Sequence, residues 1–208
     1  MRHPKPFVIL LVVCSVVLAW SAIRPRSYDV WLFEIFAGLL AVGALALTCR
    51  RFRFSGLVYL LVGVHFAVLA VAAKYTYAEM PLFNWIRDAW GLGRNYYDRV
   101  GHFFQGFVPA LVAREILLRT TRLERGKMLS FIVASICLAI SAFWELLEWW
   151  MVVFFYPQSG PEWLGSQGDV WDAQGDMFMA LTGAVLALIG LSRSHDRSMR
   201  AAGVEPGA

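Results

Sequence analysis

The chain has 208 residues, of which 59% are hydrophobic and 16% charged, and its mean hydropathy is +0.56. Soluble globular chains carry roughly 45–50% apolar and about 25% charged residues, so the composition excludes an ordinary soluble domain, and no segment is long and polar enough to form one. The net charge of +4 does not point to nucleic acid, because the lysines and arginines lie in short segments beside apolar blocks, where membrane topology accounts for them.

Apolar blocks of about 18 or more residues are long enough to cross a hydrocarbon core of ~30 Å. In chain order they predict spans at 7–23, 29–48, 57–73, 99–118, 128–155 and 172–191. The first follows Arg2 and Lys5 and ends near Ala19, Ser21 and Ala22, a pattern shared with secretory signal peptides; the run to Ile23 favours a retained helix. Between the third and fourth spans lies an aromatic-rich loop, 74–97, in which a short interfacial helix is expected around 81–90. The fifth block exceeds one bilayer crossing, so it is tilted or ends outside the hydrocarbon. Cys14, Cys49 and Cys137 are an odd set in apolar surroundings and offer no disulfide framework.

These elements predict an all-α, polytopic membrane helix bundle of about six transmembrane helices. Residues 1–192 form its transmembrane domain and 193–208 a disordered cytoplasmic tail. With the N-terminus inside, the inner segments hold 13 lysines and arginines and the outer segments 6. The positive-inside rule then places both termini in the cytoplasm. The basic runs 50–53 and 114–127 read as topology signals before lipid-headgroup sites.

On this topology the intramembrane polar residues collect near the non-cytoplasmic ends of the helices. Residues three or four apart share a helix face. Asp98, His102 and Gln105 make one stripe, Ser141, Glu145 and Glu148 a second, and Asp169, Asp172 and Asp176 a third; Glu34 lies at the same level. A charge in hydrocarbon costs about 2.5–3.5 kcal/mol on insertion scales, so these stripes should face the bundle interior or a wet cavity. Small residues at 180/184 and 183/187 predict close packing of the last span, drawing its aspartates inward.

So many carboxylates need compensation by protons, a metal ion, or the nearby Arg94 and Arg99. A mixed imidazole and carboxylate set suits Zn²⁺, Mn²⁺ or Fe²⁺. His102, Glu148, Asp172 and Asp176 are the candidate ligands of a divalent metal ion, and Glu145 and Glu148 the candidate catalytic carboxylates. Glu34, Asp98, Gln105 and Asp169 complete the polar cluster. Asp98, Asp169 and Asp172 also read as interfacial helix caps. His65, alone at mid-span, reads as a hydrogen-bonded core histidine. Glu34 has Arg24 and Arg26 as candidate partners, Glu115 has Arg114 and Arg119, and Trp144, Trp149, Trp150 and Trp163 read as an outer aromatic belt.

Three functions from different classes fit these residues. The first is a metal-binding membrane enzyme acting on a lipid-linked or envelope substrate reached from the outer leaflet. The second is a proton- or cation-coupled transporter. The third is a non-catalytic scaffold or envelope-stress factor whose polar cluster specifies helix packing.

The stretch Tyr97-Asp98-Arg99-Val100-Gly101-His102-Phe103-Phe104-Gln105-Gly106-Phe107-Val108-Pro109, the following Ala113-Arg114-Glu115, Glu145-x-x-Glu148 and the segment from Gly168 to Asp176 resemble the YjdF-type family of bacterial inner-membrane proteins. Tyr75-Thr76-Tyr77-Ala78-Glu79 fits it too, and the likeness covers nearly the whole chain. It implies a multi-pass protein of the bacterial inner membrane, in a family without an assigned activity. A more distant resemblance is to VanZ-like membrane proteins, through Asp98/His102, Glu145/Glu148 and Asp172/Asp176 with Gly183. Glu148 replaces the usual Gln there and Asp176 the usual Asn, which adds negative charge.

Overall fold

A computed structural model describes residues 4–160 and 164–204. Among them the chain forms seven α-helices and no strands: α1 (Lys5–Ala22), α2 (Tyr28–Thr48), α3 (Gly56–Tyr75), α4 (Pro81–Trp90), α5 (Tyr97–Thr120), α6 (Lys127–Phe154) and α7 (Asp172–Ala201). The helices begin and end where local chemistry requires it. Pro25 blocks continuation of α1, and Lys74 donates to the Trp20 carbonyl at its C-terminal end. Ser27 caps α2 by accepting from the Val30 N–H, with Asp29 in the first turn. Helix α4 starts on Pro81 and stops at Gly91, whose φ of 62° allows the left-handed cap.

Five helices, α1, α2, α3, α6 and α7, are long and apolar enough to cross a membrane. The span expected at 99–118 appears as α5. Its 24 residues reach about 36 Å, but it fails on apolarity because of its charged residues. The reason is its position. It packs against α3, α6 and α7, while α1 and α2 pack on α3. Tyr97, Asp98, His102, Arg114 and Glu115 are therefore buried against protein rather than lipid. Elsewhere the bundle turns apolar side chains outward. Leu47, Phe154 and Ile189 are 87%, 70% and 77% exposed, a surface suited to hydrocarbon. Leu82, Trp85 and Trp90 on the exposed side of α4 mark the interfacial helix expected there.

The segment expected to be a disordered tail is instead helical. Helix α7 continues to Ala201, with His195 and Met199 fully buried. Its extra turns are held by partners on α3 and α5: the Leu57 N–H donates to Ser198 Oγ at 3.0 Å, and Arg114 pairs with Asp196 at 2.8 Å. Of that tail, residues 205–208 lie outside the described residues.

Candidate functional site

Helices α5 and α7 meet almost backbone to backbone, through Gly106 against Ala180 and Gly183 against Phe103. This approach sets Asp98 and His102, one turn apart on α5, opposite Asp172 and Asp176, one turn apart on α7. Glu34 from α2 and Glu148 from α6 complete a cleft of about 450 Å³, whose wall also includes Tyr77, Ser166 and Gln167.

The rim is assembled by two arginines. Arg94 donates to Asp169 at 2.9 Å and Asp172 at 2.7 Å and lies 3.5 Å from Asp98. Arg99 donates to Asp169 at 3.0 Å, to Asp172 at 2.8 Å and to Asp176. Two further contacts tie the α4–α5 and α6–α7 connections together. The Asn95 N–H donates to Gln167 Oε1 at 2.7 Å, and Gln167 Nε2 donates back to the Asn95 carbonyl at 2.9 Å. Asn95 is fully buried and also donates to the Met80 carbonyl and Asn84 Oδ1. Asp169 lies outside the spans. The Trp171 N–H, with Arg94 and Arg99 beside it, holds its carboxyl below the usual carboxylate range.

At the floor, His102 Nδ1 is 2.9 Å from Gln105 Oε1. In the neutral tautomer that donates Nδ1–H to Gln105, Nε2 would carry the lone pair. That nitrogen faces Asp98 Oδ1 at 3.5 Å and Asp176 Oδ1 at 3.6 Å. One ligand atom from each of Asp98, His102 and Asp176 lies within 4.8 Å of the others. Glu145 Oε1 approaches His102 Nδ1 at 3.8 Å; it and Glu34 Oε2 are buried without a hydrogen-bond partner among the described residues.

The structure thus gathers the three stripes at one end of the bundle but redistributes their roles. Asp172 lies outside the close group of Asp98, His102 and Asp176, and its oxygens are engaged by the rim. Its Oδ1 accepts from both arginines and its Oδ2 from the Ser166 N–H at 3.0 Å. Glu148 accepts from the Trp144 indole at 2.9 Å on the cleft wall, outside the close triad, and Asp98 takes its place there. Trp144 therefore turns inward, packing on Phe33 at 5.0 Å, whereas Trp149 and Trp150 are exposed as a belt requires; Trp163 lies outside the described residues. Glu34 faces the cleft rather than Arg24 or Arg26, since Arg26 pairs with Glu79 at 2.8 Å. His65 stacks on Phe104, but its Nε2 is buried without a hydrogen-bond partner among the described residues, contrary to the expected bonded core histidine.

A second polar centre occupies the opposite end. Glu115 accepts from the Ser55 N–H at 2.9 Å, Arg119 at 2.7 Å and His195 Nε2 at 2.9 Å, while Arg114 donates to His195 Nδ1 at 3.1 Å. Pairing of Glu115 with Arg119 follows from their i, i+4 spacing. His195 and Asn95 carried no local signal, because their partners are distant in sequence.

The model of the family described as "Predicted membrane protein (DUF2238)" matches residues 6–197. The chain belongs to this family. It is also 42% identical over 193 residues to a protein of Escherichia coli (strain K12) named "Inner membrane protein YjdF", covering 93% of this chain and 92% of that one. The matched region covers α2, α3 and α6 entirely, nearly all of α1 and most of α7. The chain is accordingly a multi-pass inner-membrane protein of an uncharacterised family. No solved structure matches it.

Proposed function

We propose that this protein is a membrane-embedded enzyme that holds a divalent metal ion through Asp98, His102 and Asp176. The observation that carries the reading is the spacing around His102 Nε2. Its separations of 3.5 and 3.6 Å from the two aspartate oxygens exceed the usual hydrogen-bond range of about 2.7–3.2 Å. They match the ~3.4 Å between neighbouring ligands of a tetrahedral ion with bonds of about 2.1 Å. The Gln105 contact supplies the outer partner that orients a ligating imidazole. Asp176 Oδ1 also accepts from Arg99, so a metal there would use another lone pair of that carboxylate. Excess carboxylates around two arginines favour a cation in the cleft.

A divalent ion held by Asp98, His102 and Asp176 would supply Lewis-acid polarisation of a phosphoryl or acyl oxygen, or activation of water. Glu145 and Glu148, near the triad but outside it, are the candidate acid and base. The positive-inside count supports an outward-facing cleft, open to a lipid-linked or envelope substrate from the outer leaflet. The test is metal content by mass spectrometry of detergent-purified protein prepared without chelator. Near-stoichiometric metal in wild type and Glu148→Gln, lost in Asp98→Asn and His102→Ala, is expected. Absence of metal throughout, or equal metal in all four proteins, overturns the reading.

The buried, unpartnered His65 Nε2 favours a second reading, a proton- or cation-coupled transporter, since polar groups at mid-span commonly mark ion paths. Proteoliposomes showing no flux under a pH gradient would remove it.

A further inference from the structure

The segment Ala113-Arg114-Glu115 and the basic run after it are not used by the cleft. They meet at the other end of the bundle. There α5, α6 and α7 enclose an open pocket of about 640 Å³ lined by Arg114, Arg125, Lys127, Ser130, Ser192 and Asp196, among others. Three cations face one carboxylate among these described residues. That carboxylate, Asp196, pairs with Arg114 at 2.8 Å and Arg125 at 3.3 Å, which pins both guanidiniums to the pocket wall. Arg114 is only 4% exposed, so a positive charge is held in a largely protein-enclosed position beside an opening. The first turn of α6, which begins at Lys127, adds no acidic residue and no side-chain cap. The local balance is therefore positive.

Depth and surroundings decide what anion fits. From Asp172 at the cleft to Ser192 at this pocket, α7 rises about 30 Å, the thickness of the hydrocarbon core. The pocket thus lies at headgroup level in the leaflet opposite the cleft. Next to lining residues, the bundle offers exposed apolar side chains: Phe131, one turn from Lys127 on α6 and 69% exposed, and Ile189, one turn from Ser192 on α7 and 77% exposed. We propose that this pocket binds the anionic headgroup of a membrane phospholipid, with Arg114, Arg125 and Lys127 around the phosphate and the acyl chains lying along Phe131 and Ile189. A basic pocket between helices at the headgroup level is suited to such a lipid. The site is independent of any metal in the cleft.

The experiment uses the full chain, delipidated in detergent and titrated with phosphatidylglycerol or phosphatidylcholine. Bound lipid is counted by mass spectrometry and the melting temperature is followed. Arg125 and Lys127 are exposed, so Arg125→Gln/Lys127→Gln should fold. The expected result is phosphatidylglycerol retained by wild type with a raised melting temperature, no such effect of phosphatidylcholine, and at least about tenfold weaker phosphatidylglycerol binding in the double variant. Millimolar inorganic phosphate should not displace the lipid. Equal retention of both lipids, or unchanged phosphatidylglycerol binding by a folded double variant, overturns the site. Full displacement by inorganic phosphate overturns the lipid assignment in favour of a soluble phosphate.

Discussion

Gly106 of α5 lies so close to Ala180 of α7 that a β-carbon on Gly106 would fall 1.7 Å from the Ala180 carbonyl oxygen. One turn along α7, a β-carbon on Gly183 would fall 2.1 Å from the Phe103 carbonyl oxygen. Both obstacles are backbone, so neither can swing away. This contact brings Asp98 and His102 to Asp176, and the candidate site depends on it. Gly106→Ala and Gly183→Ala should each destabilise by about 1–3 kcal/mol or more, the usual cost of overpacking. Thermal unfolding in detergent measures it. Gly190→Ala, with no atom within 4 Å of its added β-carbon, is the matched control and should be neutral or slightly stabilising.

Arg99 should affect stability and metal binding in opposite directions. It bridges Asp169, Asp172 and Asp176; Arg99→Gln leaves the first two to Arg94 but strips the buried Asp176 of its arginine, and should cost about 3–5 kcal/mol. The same change removes a positive charge beside the proposed ligand Asp176. Apparent Mn²⁺ affinity should therefore rise, by about tenfold for each 1.4 kcal/mol of repulsion removed. Calorimetric titration beside a melting curve reads both. A fall in both would mean that the arginine is needed to shape the site.

Glu115 is fully buried and accepts from the Ser55 N–H, Arg119 and His195. Glu115→Gln should lower stability by about 3–5 kcal/mol, because Arg119 and the packed end of α7 lose their anion. Metal content at the distant cleft should stay unchanged per folded molecule, which separates the two polar centres.

Asp169 supplies a pH-dependent term. Its carboxyl titrates below the usual value of 3.8 in the folded protein, chiefly through the Trp171 N–H. Its contribution to stability is therefore present above that usual value and disappears as pH falls through the lower folded one. Asp169→Asn should melt below wild type at pH 7, and the two curves should converge in strongly acidic buffer. A difference that persists unchanged at low pH would assign the effect to shape rather than charge.

Much of the architecture was legible because the bilayer imposes simple rules. A run of apolar residues can satisfy its backbone in hydrocarbon only as a helix, and five of the expected spans are long, apolar helices. The sixth, α5, was legible as a helix but not as the centre of the bundle, and its charges make sense only there. The i, i+3 and i, i+4 stripes on α5, α6 and α7 were visible because helix periodicity is local. The small residues at 180 and 183 likewise marked the face that packs on α5.

By itself the sequence determined that the chain is a helical membrane protein whose polar residues gather at the ends of its helices, since hydropathy and periodicity depend on neighbours along the chain. Only the tertiary structure decided which of those residues meet. Arg94 and Arg99 bridge to Asp172, Asp176 comes to face His102, Gln167 locks Asn95, and His195 reaches Glu115 from 80 residues away. Pairings of that kind depend on how α5 and α7 rotate and slide against each other. That register is set by backbone contact at Gly106 and Gly183, a packing constraint that no single helix encodes.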